Sequence, residues 1–386
     1  MQIKEFVAAG IAFAAGVFAA GHGLAAGPQG QYAIDPQINV AHSGDIDFTT
    51  PLTTPLKQAW SVNLGNSVYS PLIGDGMAFA ATDGELFAID LATRAIVWQK
   101  SVETDFNYIT YDHDRVFTVT FAGQLQAFVG DSGKLKWSIQ LPGNTQFVSG
   151  PMAKDGIVFV SGGSQTGGGT LYAVSENTGA ILWTQRVEDG YGSQPAYGDG
   201  GVYVAYGFQF YKFAPSTGQV HWHYSVCNCA TYSGSTPVYF DRKVYVAGAN
   251  GPLVLDSETG NPVGTFTSSA SANELPVFFE TPAKRKVLLT FYYNGNSTLL
   301  TASHLKSDSQ IWSFAGQGAF SAAPLVVNGQ VVIASGAYLY VLNGETGAQL
   351  WSGIIPNVGD PGGMAAGEGT IVVPVGSTLT AFVPSN

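Results

Sequence analysis

The sequence predicts an all-β fold: an eight-bladed β-propeller of four-stranded antiparallel blades, closed 3+1 by the N-terminal strand. Three observations predict it: the composition, a tryptophan that recurs at a nearly constant step, and two chain ends that complete each other. The chain has 386 residues, with 49 Gly and 12% aromatic residues but only 11% charged ones. That is the profile of many short strands joined by tight turns, and disordered chains show the opposite balance of hydrophobicity and charge. Lys and Arg number 16 against 27 Asp and Glu, a net charge of −11. Nucleic-acid partners are excluded, because phosphate neutralisation needs clustered cations that no run supplies.

The seven tryptophans are Trp60, Trp98, Trp137, Trp183, Trp222, Trp312 and Trp351. They recur about every 40 residues, the period of a four-stranded blade, except for one double interval between Trp222 and Trp312. A second feature locates the missing position. Gly133, Gly179, Gly218 and Gly347 each follow Ser or Thr and stand four residues before a Trp, and Arg94 takes that place before Trp98. The same rule applied to Thr259-Gly260 lands on Gly264, which makes eight equivalent positions.

The third unit shows the elements most clearly. Ser149-Gly150-Pro151 opens it and marks the inner strand, Gly156 to Val160 is a short apolar strand, and Thr170 to Val174 is another. Asn177-Thr178-Gly179 supplies a turn, since Asn and Gly tolerate positive φ, and Ala180 to Trp183 begins the outer strand. After Trp351 three strand-like stretches remain, around Met364 to Ala366, Ile371 to Val375 and Leu379 to Val383. Leu56 to Leu64 is a lone Trp-bearing strand at the other end. Together they make the eighth blade, and such a closure removes open sheet edges.

Residues 1–26 read as a signal peptide: Lys4, an apolar run from Phe6 to Ala20, then small residues with cleavage after Ala25 or Ala26. The run is short for a membrane span. Residues 27–55 read as a flexible leader and 56–386 as the propeller. The mature chain is expected in the periplasm or secreted, as a monomer without a transmembrane span.

Blocks such as "GTLYAVSENTGAILW", "GELFAIDLATRAIVW", "GQLQAFVGDSGKLKW" and "AYLYVLNGETGAQLW" resemble the repeat of the pyrroloquinoline-quinone (PQQ) propeller superfamily. That superfamily includes quinoprotein alcohol dehydrogenases and the cofactor-free propellers of outer-membrane assembly, to which this chain is similar in size. The resemblance implies that the seven indoles dock each blade onto the next, and that the seam at Gly264 is weaker for lacking one. It also places the connections between blades at one mouth of the channel. There Tyr69, Tyr108, Phe147, Tyr191, Tyr232 and Phe320 form a candidate collar for a protein side chain, a small ligand or a glycan, or else a lateral lid on the core.

Cys227 and Cys229, the only cysteines, lie at the same mouth. They offer a disulfide, favoured by export, or two thiols. The dehydrogenases of the superfamily bridge directly adjacent cysteines above the quinone, whereas Asn228 separates this pair. His221 and His223 alternate on the strand before them but stand too far from the thiols for a metal site. Glu274 and Asp360 are the carboxylates available in the mouth loops. No residue set qualifies as catalytic or metal-binding. The expected function is a non-catalytic binding or assembly scaffold. The alternatives are a minimal PQQ- and calcium-dependent oxidoreductase and a glycan-binding propeller.

Overall fold

A computed structural model describes residues 52–385, apart from 70, 103–108, 144–145, 165–167, 189–191, 228–233, 249–250, 267–275, 294–296, 321 and 357–362. Of the residues singled out above, Tyr108, Tyr191, Cys229, Tyr232, Glu274 and Asp360 lie outside the described residues, as does the signal segment. Among the described residues, no helix is long and apolar enough to cross a membrane.

The regular structure is β throughout, arranged as eight antiparallel sheets. Blade 1 consists of Leu72–Gly74, Met77–Thr82, Glu85–Asp90 and Ile96–Ser101. Blade 2 runs from Ile109–Asp112 to Leu135–Gln140, blade 3 from Met152–Lys154 to Ile181–Val187, and blade 4 from Ala196–Gly198 to Val220–Ser225. Blade 5 runs from Val238–Phe240 to Pro262–Gly264, blade 6 from Val277–Glu280 to Gln310–Phe314, and blade 7 from Leu325–Val327 to Gln349–Ile354. A short extra strand, Gly234–Ser235, pairs with Gly201–Tyr206 of blade 4. The last blade holds Ala365–Gly367, Thr370–Val375 and Thr378–Pro384, and Leu56–Asn63 completes it. Leu56 pairs with Pro384 and Trp60 with Ala381, so the 3+1 closure is present.

The first strands of neighbouring blades touch one another and therefore ring the axis. Second and third strands are nearly continuous apolar runs because both faces meet adjacent blades; Gln330–Ser335 and Thr370–Val375 are buried along their whole length. Fourth strands are exposed along much of their length, as Ile96–Ser101 is with only Trp98 buried, because one face looks outward. In every blade the register slips by one residue where the fourth strand meets the third, immediately before the Trp position. A bulge of this kind bends the strand and re-aims the side chain that follows, here toward the next blade.

The seam at Gly264 differs from expectation. Phe266, just beyond the outer strand of blade 5, packs with Tyr245 of the same blade and Phe278 of blade 6, at ring separations of 5.6 and 6.3 Å. Tyr245 and Phe278 are 4.0 Å apart, and Phe240 lies 5.6 Å from Phe278. An aromatic cluster thus fills the joint that lacks an indole.

Candidate functional site

The joints between blades have two layers. In the first, six indoles donate Nε1–H to a backbone carbonyl in the next blade. Trp60 reaches Leu91 (3.2 Å), Trp98 Gly130 (2.6 Å), Trp137 Glu176 (2.7 Å), Trp183 Pro215 (2.7 Å), Trp222 Ser257 (3.1 Å) and Trp312 Gly344 (2.9 Å). Each ring lies flat against the turn before the outer strand, so a Cβ on Gly179 would stand 2.8 Å from Trp137. Trp351 instead packs against Phe382 at 6.3 Å. The third and fourth strands of blade 8 come from opposite parts of the sequence, so no turn joins them there; instead Ser385 N donates to Pro55 O at 2.8 Å.

The second layer lies in the turns after the first strands, where residues such as Asp75, Asp155, Asp199, Asp241 and Glu368 take positive φ. Their carboxylates accept from the next blade. Gly76 N donates to Glu368 at 2.8 and 3.0 Å, Tyr111 OH donates to Asp75, Tyr197 OH to Asp155 at 3.2 Å, and Ser257 Oγ to Asp199 at 3.0 Å. Lys286 pairs with Asp241 at 2.5 Å. Burial beside Asp75 drives the Tyr111 hydroxyl far above the usual phenol range, so it stays a donor.

At the mouth formed by the blade connections, Ser149 Oγ donates to Ser193 O at 3.1 Å and Ser193 Oγ to Ser235 O at 3.0 Å. This links the segments that lead into blades 3, 4 and 5. Three collar residues are described here. Phe147 is buried against Tyr172 at 5.9 Å, and Phe320 is buried against Phe291 at 5.2 Å. Tyr69 is half-buried and donates to Asp83. Both phenyl rings therefore pack laterally into the core. Cys227 is disulfide-bonded, and Cys229 is the one other cysteine in the chain. The Cys227 carbonyl accepts from Gln209 Nε2 (2.8 Å) and Ser225 Oγ (2.9 Å). His223 stacks on Tyr211 at 4.1 Å with the planes 5° apart, and its Nε2 bonds Gln209 Oε1 at 2.8 Å. Desolvation lowers the pKa of that imidazole.

Exposed apolar residues stand elsewhere. Ile96, Val97, Leu135, Ile181, Leu182, Val220 and Leu350 are all more than one-third exposed, at the start of the outer strands and one or two positions before Trp98, Trp137, Trp183, Trp222 or Trp351. The sequence reading placed Ala180 to Trp183 at the start of an outer strand and did not single these positions out as surface. The usable signal was their fixed offset from the tryptophans.

Comparison with known proteins agrees with this architecture. The chain is 23% identical over 345 residues to the tetrathionate hydrolase of Acidithiobacillus ferrooxidans, covering 74% of this chain and 66% of that protein. It is 28% identical over 256 residues to the outer membrane protein assembly factor BamB of Shewanella oneidensis, covering 56% of this chain and 62% of that protein. The matches thus span just under two thirds of the length of both relatives. A europium-containing methanol dehydrogenase superposes with a TM-score of 0.66 at 13% identity, over 85% of this chain and 93% of the other, a likeness of fold alone. A family model described as outer membrane protein assembly factor BamB matches residues 55–152, 142–275 and 255–386, so the chain belongs to that family, within the PQQ-like repeat β-propeller superfamily.

Proposed function

We propose that this chain is an extracytoplasmic, non-catalytic scaffold of the outer-membrane assembly type that holds a protein partner. The observation that carries the reading is the set of outer strands. Among the described residues each is the last strand of its sheet, with no further strand on its outer edge, and several present exposed aliphatic side chains beside it. A partner segment can extend such an edge by main-chain pairing while its side chains cover the apolar positions. The family and the assembly-factor relative support the same reading. A signal peptide over residues 1–26 would deliver the chain to that compartment, and mass spectrometry of the exported N-terminus tests the cleavage.

The quinoprotein alternative draws on the Cys227 disulfide. The described residues do not fit the quinone, because all seven indoles are engaged in packing between or along blades. None is left to stack beneath it. Deleting the gene should lower the content of outer-membrane β-barrel proteins. The wild-type chain should restore it, and an Ile181→Ser/Leu182→Ser/Val97→Ser variant with unchanged melting should not. Dye-linked alcohol oxidation by the purified chain with added PQQ and calcium, or full rescue by the triple variant, would refute the proposal.

A further inference from the structure

Two departures from the repeat meet at the joint of blades 2 and 3. The residue whose carbonyl receives an indole is Leu91, Gly130, Pro215, Ser257 or Gly344 in other blades, but Glu176 in blade 3. The first strand ends in Gly74, Lys154, Gly198, Phe240, Val327 or Gly367 in six blades, in Glu280 paired with Lys284 at 2.9 Å in blade 6, and in Asp112 in blade 2. His113 follows it, with φ of 43°, and Asp114, with φ of 62°. At other joints on this face a turn carboxylate meets a donor from its neighbour. Here it meets a second carboxylate.

Asp112 and Glu176 are 4% and 2% exposed. Neither Asp112 Oδ2 nor Glu176 Oε1 has a hydrogen-bond partner. Two carboxylates buried this deeply and facing each other call for a compensating cation. Arg115 is near enough for its charge to act on Glu176, but its direct contacts are Asn177 Oδ1 at 3.4 Å and Asp114 Oδ1 at 3.8 Å. His113 Nδ1 lies 3.1 Å from Asp112 Oδ2 and 3.3 Å from Glu176 Oε2, and one N–H cannot be directed at both. Ligand atoms of the three residues lie within 4.8 Å of one another.

We propose that Asp112, His113 and Glu176 bind a divalent transition-metal ion, zinc by the character of the donors, as a staple between blades 2 and 3. Imidazole with carboxylate suits zinc among divalent ions. Bonds of about 2.0–2.1 Å in a tetrahedron put ligand atoms about 3.4 Å apart, close to both His113 separations. The His113 side chain is 54% exposed, which leaves an entry path and room for water as the fourth ligand.

The test uses the full chain, freed of any affinity tag, stripped with EDTA and then cleared of chelator. Zinc titrated by calorimetry should bind at one ion per chain, and the melting temperature should rise with free zinc by mass action. Cobalt should give the visible absorption of a tetrahedral site. His113→Asn keeps a side chain that tolerates positive φ. It should melt like the wild type without metal and lose both the zinc-dependent rise and the cobalt band. Glu176→Gln should also lose binding. Absence of zinc binding to the wild type, or an equal zinc-dependent rise in His113→Asn, would overturn the proposal and leave a proton-sharing carboxyl pair.

Discussion

Gly179 and Gly369 share one backbone conformation, φ +72° in both, and differ in what stands beside them. A Cβ on Gly369 meets nothing within 4 Å, whereas one on Gly179 would lie 2.8 Å from the Trp137 ring. Gly369→Ala should therefore cost only the left-handed penalty, about 1 kcal/mol. Gly179→Ala should cost about 2–3 kcal/mol, since the indole must also move, and urea denaturation of the two variants separates the terms. His223 gives a pH dependence of known sign. Its folded pKa is below the unfolded value of about 6.5, so the unfolded chain binds more protons below that pH. The stability His223 contributes is present above pH 6.5 and falls as acid takes the pH down toward the folded pKa. His223→Phe should flatten that part of the melting temperature's decline between pH 7.5 and 5. At this scale the tryptophans and their partner glycines were legible in the sequence because they recur. Asp112 and Glu176 were not, because each is a single exception within its own repeat and they meet only across a joint.

Each outer strand carries its bulge whether or not a tryptophan follows, as the slip at Gly264 shows. The bulge is thus a property of the blade, and the indole uses a direction already set. At the Gly264 seam the receiving turn has changed too: Asp308, φ 54°, stands where other blades place Gly133 or Gly347. Gly264→Trp is expected to leave the melting temperature unchanged or lower it, because Phe266 already packs with Tyr245 and Phe278 at this joint. Phe266→Ala should cost about 2 kcal/mol, less than a fully buried phenylalanine, as Phe266 is half-buried. An unchanged melting temperature for Phe266→Ala would mean that the aromatic cluster does not hold this seam. Element order and blade boundaries could be read from periodicity, but the substitute for the missing indole could not, since Phe266 lies outside the repeat pattern.

The ring is closed by pairing Leu56–Asn63 with Thr378–Pro384, and this sets a difference between two indoles that look equivalent in sequence. Trp312 donates to Gly344 at 2.9 Å, while Trp351 packs on Phe382 of the blade that the Leu56–Asn63 strand closes. Trp312→Ala should therefore lower stability more than Trp351→Ala, by about the 1 kcal/mol of a hydrogen bond, as measured by thermal melting of the two variants. An equal loss would show that the carbonyl contact is neutral and that apolar burial alone docks the blades. The acidic turns form a second ring of contacts on one face, which places part of the net charge of −11 in joints between blades.

Read alone, the sequence determined the number of blades, their four-strand make-up and the closure, because these depend on periods and offsets that repeat along one dimension. Only the tertiary structure decided which rings point into the core, where aliphatic side chains reach the surface, and which carboxylates face each other. Those outcomes depend on contacts between residues of different repeats, and packing around a closed ring brings such residues together without leaving a spacing in the chain.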